Sequence, residues 1–194
     1  MTDDYEDPTV QARPASKYEQ RLAARMNGQK GADDPSWIPM YVDPRERRMS
    51  GVAHGHTPFD VPVVSQIRGN LWQGGCRDGL VLPKDIEHVI SLYPWESYTI
   101  THEVTSMLTV RMYDAADQDY DMVDAIAGWA LRCVGDGPTL IHCQTGLNRS
   151  SLIAARVLTL QGLSGVEAIA LLREMRSPAC LYNKAFEGWV AGIS

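Results

Sequence analysis

One segment carries reactive residue types at a spacing that permits chemistry: TLIHCQTGLNRSSLIAARVL, residues 139–158. It reads as a short apolar strand, a tight loop and an almost continuously apolar helix. Cys143 closes the strand, and Arg149 opens the helix six residues later. A loop of this length running into a helix can curl so that its backbone N–H groups point inward. With the helix N-terminus, those groups make a site for a tetrahedral oxyanion. The same field favours a thiolate at Cys143, with a pKa below the free-thiol value of about 8.5. Arg149 can give two parallel N–H bonds to phosphoryl oxygens, which a Lys cannot imitate. Gly146 lets the backbone approach a ligand closely. Ser150 is placed to donate a hydrogen bond to the sulfur, and His142 to orient the loop rather than to act as a base. The chemistry in view is attack by a sulfur anion on a bound phosphoryl group.

A Cys-x5-Arg spacing alone is a weak pattern. The His before the Cys, the Gly three residues after it and the Ser after the Arg make it specific, and so does its place between strand and helix. The bland alternative is a core thiol at Cys143 and a surface cation at Arg149. A cation at a helix N-terminus is unfavourable unless an anion sits there, which counts against that alternative.

A phosphocysteine route also needs a proton donor for the leaving oxygen, and the same group can later activate water. TVRMYDAADQDYD, residues 109–121, offers Asp114, Asp117, Asp119 and Asp121. Asp114 directly follows an alternating apolar strand and is favoured, with Asp117 the second candidate. Asp119 and Asp121 read as helix-capping acids before Met122.

The elements that must position these groups follow from periodicity. VPVVSQI and LWQGG flank an Arg-Gly-Asn turn, HVISLY reads as a buried strand, and LTVRMYD, residues 108–114, alternates Leu108, Val110 and Met112 on one face. MVDAIAGWALRCV is an amphipathic helix stopped by Gly135-Asp136-Gly137-Pro138. The helix after Arg149 ends at Gly162, Ser164 with Glu167 forms a capping box for the next one, and NKAFEGWVAGI closes the chain as a further helix. Strands alternating with helices indicate an α/β fold: a short, mostly parallel central sheet flanked by helices on both faces. Residues 1–58 differ in texture. A short helix is expected over Lys17–Met26, ending at Asn27-Gly28, and Trp37, Ile38, Met40, Tyr41 and Val42 sit among prolines as an extended arm or a disordered tail. The expected organisation is an N-terminal extension over 1–58 and a catalytic domain over 59–194.

HCQTGLNRS resembles the His-Cys-x5-Arg-Ser/Thr signature of the protein tyrosine phosphatase superfamily, and the dual-specificity branch in particular. SQIRGNLWQGG, IEHVISLY, VRMYD and EAIALLREMRSPACLYNKAF are similar to further segments of that branch, so the likeness spans about residues 62–190. The resemblance implies Cys143 as nucleophile, Arg149 as phosphate binder and Asp114 as general acid. It implies that Gln144, Thr145, Gly146, Leu147 and Asn148 supply the loop backbone, that Ser150 assists breakdown of the phosphoenzyme, and that no metal or organic cofactor is required. Two departures stand out. Leu147-Asn148 replaces the small residue and Ser usual before the Arg, and an Asn-Arg pair is similar to RNA 5′-triphosphatases of capping enzymes. The loop has no Lys, unlike inositol-lipid phosphatases.

Composition narrows the partners. A net charge of −6, from 18 basic and 24 acidic residues, argues against a DNA-binding protein held by phosphate contacts. No apolar stretch approaches bilayer length. The acidic N-terminus does not read as a secretory signal, and four cysteines without paired spacing read as reduced thiols in a cytoplasmic protein. Cys76 is a candidate resolving thiol for an oxidised Cys143, although a plain buried thiol is the simpler reading for it, as for Cys133 and Cys180. His54 and His56 are too few for a metal site, and Arg45, Arg47 and Arg48 read as a solvated basic run. Three functions remain open: a phosphatase for phosphotyrosine or phosphoserine/threonine in proteins, a phosphatase for RNA 5′ ends, and a catalytically silent phosphate-binding module.

Overall fold

The structure, a computed structural model, describes residues 37–53 and 57–194. The helix expected over Lys17–Met26 and the pair His54 and His56 lie outside the described residues.

Two sheets organise the chain. The first is an antiparallel meander of β1 (Met40–Asp43), β2 (Arg48–Ala53) and β3 (Thr57–Pro62), in that spatial order. The Asp43 side chain accepts from the backbone N–H groups of Arg45 and Glu46, at 2.8 and 3.2 Å, which holds the β1–β2 turn. Pro58 and Pro62 are tolerated because β3 is an edge strand. Phe59 and Val61 alternate inward from β3, and Met49 and Ala53 do so from β2. The arm expected as extended chain is thus a sheet. It runs through position 58, where the sequence reading placed a boundary, because its apolar alternation continues through that point into the core.

The second sheet has five strands: β4 (Val64–Arg68), β5 (Leu71–Gly75), β6 (His88–Ser91), β7 (Ser106–Thr109) and β8 (Thr139–Cys143), in the order β4-β5-β8-β6-β7. Only β4–β5 is antiparallel. Every residue of β8 is buried, as a central parallel strand covered on both faces requires. The strand expected over 108–114 forms only as β7. Its partner β6 ends at Ser91, so after the Val110 N–H reaches the Ser91 carbonyl the chain has nothing left to pair with. The inward alternation persists nonetheless, and Met112 is fully buried.

Four helices follow: α1 (Tyr120–Asp136), α2 (Arg149–Leu160), α3 (Gly165–Met175) and α4 (Lys184–Ala191). They pack in succession, with α2 on β5 and β8. Asp119 caps α1 through the Met122 N–H, Ser164 and Glu167 form the expected capping box on α3, and Asn183 caps α4. The sheet is mostly parallel and flanked by helices, as expected. Helices cover the face bearing Gln73 and Ser106, which meet α2 and Cys133 of α1. Among the described residues the opposite face is closed by turn-rich chain instead. Leu82, Tyr98 and Ile100 stand there with Val89, Ser91 and His142. The crossovers after β5 and β6 each carry one proline, Pro83 and Pro94, with turns rather than a helical period, so they cover that face as loop.

The two sheets meet beside the reactive loop. Gly75 pairs with Cys143 across the sheet, and a Cβ there would lie 2.4 Å from Met49 Sδ and 2.7 Å from the Gln144 carbonyl oxygen. Gly75→Ala therefore overpacks a backbone contact. It should lower unfolding free energy by about 1–3 kcal/mol, read by urea titration.

Candidate active site

Cys143 ends the central strand, so its side chain emerges at the C-terminal edge of the parallel sheet, where open α/β folds place their ligands. The loop 144–148 turns the chain into α2. Asn148, at the N-cap of α2, makes no side-chain cap bond. The cap side chain therefore does not cover the start of that helix, and the Ser150 N–H turns to Cys143. Sγ of Cys143 accepts from the Gly146 N–H at 3.3 Å and lies 3.5 Å from the Ser150 hydroxyl. Burial by itself raises the pKa of this thiol. The Arg149 guanidinium, the Ser150 hydroxyl and the backbone N–H groups of Ser150 and Gly146 outweigh that effect, and the net shift is downward.

Behind the loop stands a buried polar brace that sequence reading missed. Gly146 has φ +73°, and a Cβ there would fall 2.4 Å from Arg176 Nη2 and from the Gly74 carbonyl carbon. Arg176 donates to the carbonyls of Gly146 (2.5 Å), Thr145 (2.9 Å), Gln73 (3.2 Å) and Pro62 (3.2 Å), and to Ser65 Oγ (3.1 Å). Gln73 donates to the Gly146 carbonyl at 2.8 Å and to Ser151 Oγ at 2.6 Å. These bonds turn the loop carbonyls backward and so help to keep its N–H groups forward. The only advance sign was a Gln in an otherwise apolar strand and an Arg just past an apolar helix.

The remaining site residues converge in one recess, lined by Ile38, Ala53, Asp114, Cys143, Gln144, Thr145, Asn148 and Arg149. Arg149 is buried, with its guanidinium 5.1 Å from the Tyr93 ring centroid and Nη1 donating to the Met112 carbonyl at 3.1 Å. That bond ties the phosphate-binding candidate to the segment carrying Asp114. Asp114 Oδ1 accepts from Asn183 Nδ2 at 2.7 Å, and the Asn183 backbone N–H donates to Asn148 Oδ1 at 3.0 Å. Asn183 therefore links the acid candidate to the loop. Asp117 is exposed and does not line the recess, and Asp119 is a helix cap. Leu147 faces the core, while its carbonyl accepts from Ser151 Oγ and the Leu181 N–H, both at 2.8 Å.

Ile38 and Ala53 bring the N-terminal sheet to the mouth of the recess. Gln144 Nε2 donates to the Ile38 carbonyl at 2.8 Å, and the Ile38 N–H donates to Gln144 Oε1 at 3.3 Å. His142 is buried edge-on to Tyr98, and burial lowers its pKa to about 4 against an opposing backbone contact with Cys143, so it is neutral near pH 7. Burial pushes the Cys76 thiol upward, in keeping with a plain buried thiol. Arg48 pairs with Asp60 at 2.9 Å on the surface. Among the described residues no group of three or more His, Cys, Asp or Glu is arranged to hold a metal ion, and no helix is long and apolar enough to cross a membrane.

The fold is shared with solved structures. Human DUSP28 superposes with a TM-score of 0.57 at 16% identity, covering 65% of this chain and 92% of that one. A mouse protein described as a dual specificity phosphatase, in complex with zinc tungstate, gives 0.58 at 18% identity over 66% and 84% of the two chains. A human tyrosine phosphatase-like serine/threonine/tyrosine-interacting protein gives 0.51 at 17% identity over 66% and 92%. No family model matches the sequence, and no curated protein matches it. The chain shares its fold with these solved dual-specificity phosphatase structures.

Gly146→Ala should drive Arg176 and Gly74 away from the loop. The expected result is loss of inorganic phosphate binding by more than about tenfold in isothermal titration, with the fold retained by circular dichroism.

Proposed function

We propose that the protein is a cysteine-dependent phosphatase hydrolysing phosphomonoesters, with phosphotyrosine or phosphoserine/threonine in proteins as its substrates. The observation that carries this reading is the placing of a pKa-lowered Cys143, the Arg149 guanidinium and Asp114 around one recess. A solvated or structural role needs no such convergence.

The reaction proceeds in two displacements. Arg149 and the loop N–H groups bind the phosphoryl oxygens. Cys143 Sγ attacks phosphorus, the ester P–O bond breaks with its electron pair on oxygen, and Asp114 gives its proton to that oxygen. A water molecule then attacks the phosphocysteine. Asp114 takes the water proton, the P–S bond breaks with its pair on sulfur, and inorganic phosphate leaves. The Ser150 hydroxyl, 3.5 Å from Sγ, stabilises the returning thiolate. Asn183 holds Asp114 through Oδ1, which orients the carboxyl beside the recess.

Fold alone does not decide activity, since a phosphatase-like interacting protein has a similar one. Against a silent binding module stands the presence of nucleophile, cation and acid in one recess. The RNA reading rested on Asn148, and here that side chain accepts the Asn183 N–H, a structural task that favours no nucleic acid.

Wild type should hydrolyse a small aryl phosphate, and Cys143→Ser should abolish turnover. Asp114→Asn should lower kcat by about 10²–10⁴-fold. Because the Cys143 pKa is lowered, the rise of kcat/KM with pH, which follows thiolate formation, should lie below the ordinary thiol range. Phosphate binding without turnover would leave the module reading in its place. Turnover of 5′-triphosphorylated RNA far above a phosphotyrosine peptide would favour the RNA reading. Near-normal Asp114→Asn with a crippled Asp117→Asn would move the acid.

A further inference from the structure

Gln73 lies on β5, fully buried, on the helix-covered face of the central sheet. Its strand neighbours Leu71 and Trp72 are apolar, so a carboxamide there is out of pattern. The orientation of that amide is set by its surroundings. The Gly146 carbonyl can only accept, so the Nε2 side must face it, and it does at 2.8 Å. The Ser151 hydroxyl gives its proton to the Leu147 carbonyl at 2.8 Å and accepts from Gln73 Nε2 at 2.6 Å. Both N–H groups of this nitrogen serve Gly146 and Ser151, and Ser150 Oγ, at 3.4 Å, receives the long arm of a shared bond. Gln73 Oε1 has no hydrogen-bond partner among the described residues, so the side chain is held for what its N–H groups do.

We infer that Gln73 is a positioning residue that acts on Cys143 through Ser150. An N–H shared with the Ser150 oxygen approaches it from the side away from sulfur and favours the rotamer whose proton faces sulfur. It thereby turns the serine proton toward sulfur, 3.5 Å away. A hydroxyl held that way stabilises sulfur most when sulfur carries full charge, which is when the P–S bond breaks and its electron pair returns to Sγ. Ser150 keeps its proton throughout. Beyond bracing the loop, the step that Gln73 assists is hydrolysis of the phosphocysteine.

The inference rests on the proposed phosphatase reaction, and the test separates the two. Gln73→Met, of similar shape, should lower kcat for an aryl phosphate about threefold, as loss of the long arm of a shared bond implies. Arg176 still holds the Gly146 and Thr145 carbonyls in that variant, so the Ki of inorganic phosphate should rise less than kcat falls, and the steady-state fraction of phosphocysteine, trapped by acid quench with ³²P-labelled substrate, should rise. In a double-mutant cycle, Gln73→Met added to Ser150→Ala should cost little beyond Ser150→Ala alone. Gln73→Asn, which retracts the amide by one methylene, serves the same cycle if Gln73→Met does not fold. A raised Ki without phosphocysteine build-up would make Gln73 a mere loop support and overturn the inference. Fully additive effects of the Gln73 and Ser150 changes would overturn it too. Wild type without turnover would fail the underlying reaction, and this inference with it.

Discussion

A sulfur anion removed from bulk water is stable only where fixed dipoles and a cation replace its hydration. Cys143 is almost wholly buried, so this requirement governs the rest of the structure. The central strand delivers the thiol to the sheet edge, α2 supplies Arg149 and Ser150, and the loop between them supplies the Gly146 N–H. That loop keeps its shape because Arg176 and Gln73 hold its carbonyls from behind. Burial lowers the pKa of Arg176, and the nearby Cys180, Cys143 and Tyr98 oppose that pull. A guanidinium whose hydrogen-bond acceptors are neutral carbonyls and a hydroxyl also leaves its positive charge to act on whatever anion the loop contains.

The strand, loop and helix that carry Cys143 and Arg149 were legible in sequence because each is local. TLIHC is an unbroken apolar run, the helix after Arg149 is apolar almost throughout, and the capping box of α3 is written in Ser164 and Glu167. Asp114 was legible because apolar alternation leads directly to it, even though the ladder itself stops at Thr109. What escaped were long-range bonds. Arg176 meets Pro62 and Gln73 across more than a hundred positions of chain, and Asn183 meets Asp114 across 69. No spacing rule encodes such pairs. The N-terminal meander escaped for a related reason. Its strands are short, interrupted by prolines, and become apolar stripes only when folded onto the loop.

That meander changes the character of the site. A sheet begun near Met40 packs Met49 against Gly75 and sets Ile38 and Ala53 at the mouth of the recess. Gln144, a loop residue, spends both ends of its carboxamide on the Ile38 main chain. Elements far apart in sequence thus share one wall, and the shape of the opening is set as much by residues 37–53 as by the loop itself.

The central claim is that Cys143 is a thiolate near neutral pH. The most direct measurement is the pH dependence of iodoacetamide alkylation at Cys143, followed by peptide mass spectrometry in wild type and in Arg149→Met. The account predicts an inflection well below the free-thiol value of about 8.5, moving upward when the guanidinium is removed. An inflection at or above that value in wild type, indifferent to Arg149, would contradict it.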